Sequence, residues 1–127
     1  MNTPATDLKA AAIDFLQLTA RGQVDDAFGR YAGPGFRHHN PYFAGDAAAI
    51  QAGMRENAAR FPQMAFEVQR ALADGALVAV HSRARMAPGM PDIAVVHILR
   101  FEHGRIAEMW DIGQAEPSPM ANELGMF

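Results

Sequence analysis

With 127 residues, half of them hydrophobic and a fifth charged, the chain has the composition of one ordinary globular domain with a useful core. Its net charge of −3 carries no electrostatic footprint for nucleic acid or an anionic membrane surface. The absence of cysteine removes disulfides, thiolate catalysis and cysteine-ligated metal together.

No apolar run approaches a membrane span and no signal-peptide pattern opens the chain, so a cytoplasmic protein with no membrane partner is expected. Thr3-Pro4 reads as an N-cap with proline at the first helical position. Leu8, Ala11, Ala12, Phe15 and Leu18 then recur at helical spacing, and Gly22 ends the helix. Asp25 and Asp26 open a short second helix, where carboxylates suit the positive end of the dipole. Gly33-Pro34-Gly35 reads as a break, followed by a short strand from Phe36 to Asn40 and a stop at Pro41. Asp46 caps a third helix, with Ile50, Met54, Ala58 and Phe61 on one face and Pro62 closing it.

From Met64 onward the pattern is β. Met64 to Ala73 and Ala76 to Met86 flank a turn at Asp74-Gly75, and Pro88-Gly89-Met90-Pro91 turns the chain into a strand beginning at Ile93. Along that strand Val95, His97, Leu99 and Phe101 alternate with Val96, Ile98 and Arg100. After the His103-Gly104 turn, Ala107, Met109 and Asp111 are expected on one face and Ile106, Glu108 and Trp110 on the other. A three-residue loop with a bulge would set Arg100 against Glu108 and His97 against Asp111, whereas a tight two-residue turn would shift the register by one. The first register is expected, because it pairs opposite charges. It also sets a histidine beside a carboxylate on an apolar wall, the chief chemical feature of the sequence.

Three helices before a run of antiparallel strands predict an α+β domain spanning residues 1–127, with helices on one face of a curved sheet. Helices cannot seal the whole concave face, so a pocket is expected between the layers. His38 and His39 are adjacent and point to opposite faces of a strand, which argues against one metal ion between them. His81, Arg83 and Arg85 share a face that reads as solvated or as a subunit contact. Trp110 and Ile98, with Ile106 beside them, suggest an apolar face away from the helices that a second copy would cover, hence a homodimer.

The order of elements and several strings resemble the SnoaL-like polyketide cyclase family, including predicted SnoaL-like aldol-condensation proteins, of the nuclear transport factor 2-like superfamily. The strings are His39-Asn40-Pro41, Leu77-Val78-Ala79-Val80-His81, Phe101-Glu102-His103-Gly104-Arg105-Ile106, Trp110-Asp111 and the terminal Met126-Phe127. The likeness runs from Ala10 to Gly113 and implies a barrel-like α+β cone, often dimeric, with one deep pocket per subunit. It further implies that Asp111 is an acid/base in an intramolecular aldol ring closure, with His97 near it and no metal or organic cofactor. Proton removal beside a carbonyl requires a base in a dry site, and the enolate then requires a donor, which His97 could supply. The wall is expected to include Asn40, Phe15 and one of the two histidines: period two puts His38 on the face of Asn40, whereas the family string stresses His39. Met54 and Met109, which read equally as adaptable core fillers, complete it.

Ketosteroid isomerases share this fold and carry a base before a proline, a tyrosine on the first helix and a protonated aspartic acid on a late strand. The corresponding positions here are Asn40, Phe15 and His97. Asparagine is no base near neutral pH and phenylalanine has no hydroxyl, so that machinery is excluded. The leading expectation is a small-molecule enzyme, a lyase or isomerase of cyclase type, acting on an apolar or aromatic ligand. The alternative is a non-catalytic ligand-binding or association module on the same fold.

Overall fold

A computed structural model describes residues 5–127; the expected cap at Thr3-Pro4 lies outside them. Helices α1 (Ala5–Ala20), α2 (Val24–Tyr31) and α3 (Ala47–Arg60) lie on one face of a sheet built from β1 (Ala32–His38), β2 (Ala65–Asp74), β3 (Leu77–Arg85), β4 (Asp92–Glu102) and β5 (Arg105–Ala115). Gly22 at φ 84° ends the first helical segment, and the Asp46 side chain accepts from the Ala49 N–H at 2.8 Å to start the third. The strand order is β1-β5-β4-β3-β2, with β1 parallel to β5 and every other pairing antiparallel. The sheet stays open, with β1 and β2 as its edges. No described helix is long and apolar enough to cross a membrane.

Two local expectations are corrected. Gly33-Pro34-Gly35 lies inside β1 rather than ahead of it. A Cβ at Gly33 would sit 3.3 Å from the Ile106 carbonyl oxygen, so the glycine permits close approach to β5. The hairpin between β4 and β5 has the expected partners, Arg100 with Glu108 and His97 with Asp111, but by another route. Glu102 pairs with Arg105 across a two-residue turn, where His103 and Gly104 both have positive φ. The register then shifts between the Phe101–Ile106 and Arg100–Glu108 pairs, leaving Ala107 as the extra residue of a bulge. Ile106, expected on the outer face, is therefore fully buried in the core alongside Met109.

The core lies between the helices and the inner sheet face. Leu8, Ala12, Phe15, Leu16 and Leu18 pack with Val24, Phe28, Phe36, Ile50, Val78, Val80, Leu99 and Phe101. Phe15, Phe28 and Phe36 form an aromatic trio with centroids 5.2 Å apart for Phe15–Phe28 and Phe28–Phe36, both edge-on. This trio ties both N-terminal helices to β1. Phe15→Ala is expected to cost about 3–5 kcal/mol in urea unfolding, the range for removing a buried aromatic ring.

Candidate functional site

Alternation along β4 and the bulge in β5 bring His97 and Asp111 side by side on the inner face, with His97 Nε2 3.6 Å from Asp111 Oδ1. Beyond the end of β1, the Asn40 side-chain amide donates to Asp111 Oδ2 at 2.8 Å. Asn40 Oδ1 accepts from the Tyr42 N–H at 3.0 Å, so the orientation of the amide follows from its surroundings. Asn40, Asp111 and His97 thus form a polar row across an apolar wall. The side chain of Asp111 keeps 21% of its exposure and that of His97 10%, and the Phe66 ring lies 6.3 Å from the imidazole.

Burial pushes the His97 pKa below the ordinary 6.5, and the Asp111 carboxylate offsets only part of that shift. Near pH 7 the folded state therefore favours the neutral ring. Its Nδ1 has no hydrogen-bond partner among the described residues, and neither does the hydroxyl of fully buried Ser82 on β3.

His38 and His39 separate as alternation requires. His38 is buried, donates from Nε2 to the Ala44 carbonyl at 2.6 Å and accepts the Asn40 N–H at Nδ1. With both nitrogens engaged, it shapes the loop that presents Asn40 and has no free lone pair for chemistry. His39 lies on the outer face, stacked on Trp110 at 5.1 Å, and donates to Glu108 at 2.6 Å. Hydrogen bonds from His39, Arg37 and Arg100 hold the Glu108 pKa down at about 2. Phe15 and Met109 are fully buried in the core, and Met54 packs partly buried against it. The structure thus brings Asn40 to His97 and Asp111, keeps His39 away from them, and places Phe15 and Met109 within the packing. No group of three or more histidine or acidic side chains is spaced to hold a metal among the described residues.

Three concavities lie elsewhere on the surface. One of about 250 Å³ opens between α1 and β2, lined by Gln17, Ala20, Arg21, Met64 and Phe66. Another of about 260 Å³ follows the Gly33–Gly35 run beside Arg37, Arg100 and Arg105. The third, of about 160 Å³, lies under the C-terminal segment. None of these is lined by His97 or Asp111. Phe66 borders the first and also adjoins His97.

Sequence reasoning passed over Ser82, Phe66 and Asp92. Asp92 is buried and clamped by Arg83 and Arg85, whose side chains stay exposed. The signal for Ser82 was its phase: it is polar where Val78, Val80 and Ala84 point inward.

The architecture is that of the nuclear transport factor 2-like fold. The chain belongs to the SnoaL-like domain family, whose model matches residues 12–109. AclR from Streptomyces galilaeus, a candidate hydroxylase, is similar with a TM-score of 0.74 and 18% identity over 87% of this chain and 91% of that one. A SnoaL-like protein of unknown function from Burkholderia thailandensis is similar with a TM-score of 0.73 and 18% identity, covering 90% and 99%. A candidate polyketide cyclase from Acidithiobacillus ferrooxidans is similar with a TM-score of 0.71 and 18% identity, covering 88% and 91%. No curated protein matches the sequence significantly.

The lowered His97 pKa has a signed consequence. Below pH 6.5 the unfolded chain binds a proton that folded His97 still refuses, so stability falls as pH drops through that window. The fall ends below the folded-state value. Urea unfolding from about pH 7.5 to about pH 5 should show this slope in wild type and a flatter profile in His97→Leu. Glu108 contributes in a separate window, its stabilisation being present above 4.5 and lost toward about 2.

Proposed function

We propose that the chain is a small-molecule enzyme of the SnoaL-like cyclase or aldol-condensation kind, with Asp111 as acid/base and His97 as its neighbour on the inner face. The observation that carries this reading is the polar row itself: a partly shielded carboxylate held by Asn40 beside a neutral, buried imidazole. A carboxylate oxygen in such a setting can take a proton from carbon beside a carbonyl. The imidazole then lies beside the carboxylate, within reach of the oxygen on which charge develops. The structural neighbours include a candidate polyketide cyclase and a candidate hydroxylase, so the choice of chemistry rests on these side chains and not on the fold.

One observation favours the second reading, a non-catalytic binding or association module. The concavities described lie away from His97 and Asp111, and Phe66 closes on the imidazole. Turnover decides between the two. With β-dicarbonyl and aldol substrates, Asp111→Asn should lower the rate by about 10²–10⁴ while the thermal melt stays close to wild type. His97→Gln, which keeps an N–H donor, should be milder. Unchanged turnover in Asp111→Asn would clear the carboxylate of a catalytic role, and an inactive wild type on a broad panel would favour the module.

We also propose self-association through the outer sheet face, where Ile98 and Trp110 pair across β4 and β5 and Ile112 is 56% exposed. Sedimentation at micromolar concentration should give a homodimer that Trp110→Lys dissociates. A wild-type monomer would contradict this.

A further inference from the structure

Ser82 and His97 carry the two buried polar atoms noted above, and their side chains are neighbours. Ser82 pairs with Val95 and His97 with Val80, so the two are diagonal inward residues on adjacent strands. Diagonal neighbours of this kind lie about 7–8 Å apart. Val68 and Val80 beside them are apolar, as are Ala84 and Val95. Ser82 is wholly shielded and His97 is 8% exposed. Alanine or valine would serve packing as well as Ser82 does, and a buried hydroxyl without a partner lowers stability. Across β3, Ser82 lies between Ala84, which pairs with Phe66, and Val80, which pairs with His97. The Phe66 ring centroid lies 6.3 Å from that of the imidazole.

The hydrogen-bond arithmetic narrows the partner. His97 is held neutral by burial and turns Nε2 toward the Asp111 carboxylate, so its one proton belongs on Nε2 and Nδ1 offers a lone pair. Ser82 can donate or accept. With Ser82 as the donor, a group satisfying both gives a proton to Nδ1 and accepts one from Ser82. A carbonyl or carboxylate oxygen has no proton to give, whereas a hydroxyl does both.

We propose that Ser82 Oγ and His97 Nδ1 form a subsite for one neutral hydroxyl group, phenolic, enolic or alcoholic, of a small apolar ligand that packs against Phe66. The proposal rests on reading the inner face as a ligand wall and deepens the function proposed above. It does not depend on Asp111 acting as a base.

The test uses two probes of one shape, p-cresol and p-xylene, in which a hydroxyl and a methyl exchange places. An apolar cavity alone would prefer p-xylene, because the cresol hydroxyl must leave water. Wild type should bind p-cresol the more tightly by calorimetric titration, and the His97 Nδ1 nitrogen resonance should move on binding. Ser82→Ala should weaken p-cresol by about tenfold, leave p-xylene unchanged and raise the melting temperature of the free protein. Equal affinity for the two probes, preference for p-xylene, or binding of neither at millimolar concentration would overturn the subsite. So would Ser82→Ala lowering the melting temperature without altering the discrimination, which would mark a structural hydroxyl bonded through buried water. Hydroxyl selectivity without turnover sinks the catalytic reading and leaves the subsite standing. Turnover that depends on Asp111, without hydroxyl selectivity, does the reverse.

Discussion

Ala107 has no partner on β4, and that one unpaired residue sets the phase of everything after it on β5. Strict alternation from Ile106 would point Glu108 and Trp110 into the core and turn Asp111 outward. The bulge lets Ile106 and Met109 both enter the core, sends Glu108 and Trp110 to the outer face, and returns Asp111 to the side where His97 lies. The neighbouring strand accommodates the same irregularity. Pairing between β1 and β5 shifts between Ala32 and Arg37, across the Gly33-Pro34-Gly35 run, and one of the concavities follows that run beside Ala107.

The two faces of the sheet handle their polar groups differently. Outside, Glu108 collects Arg37, Arg100 and a hydrogen bond from His39, and Asp92 collects Arg83 and Arg85, so two arginines face each buried acid there. Inside, the row of Asn40, Asp111 and His97 contains no arginine or lysine. Buried acids surrounded by cations are characteristic of structural anchoring. The Asp111 carboxylate instead faces the Asn40 amide and the His97 imidazole. His38 serves the inner row without joining it, because its two bonds to the loop backbone fix where Asn40 stands.

Much of this arrangement was legible in the residues themselves. Opposite charges at Arg100 and Glu108 pointed to the register that also aligns His97 with Asp111, and periodicity located the three helices. The failures share a physical origin. A bulge adds a residue without altering local composition, so Ile106 was assigned to the wrong face by counting in twos. Gly33-Pro34-Gly35 reads as a break because glycine and proline disfavour regular strands, yet here the glycine serves a close approach between β1 and β5. Whether His38 or His39 turned inward depended on the start of β1, which adjacent histidines do not reveal. Ser82 went unremarked because an isolated serine carries weight only once the direction of its strand is known.

The parallel pairing of β1 with β5 has a consequence for how firmly the polar row is held. His97 and Asp111 belong to one hairpin, closed by a tight turn and a ladder of neighbouring strands. Asn40 meets Asp111 across 71 residues of chain, at the end of an edge strand whose pairing is already irregular. Relative to the fourteen residues between His97 and Asp111, closing that longer loop costs about 1.4 kcal/mol more chain entropy. Partial opening therefore releases the edge strand and its asparagine while the hairpin keeps histidine and carboxylate together.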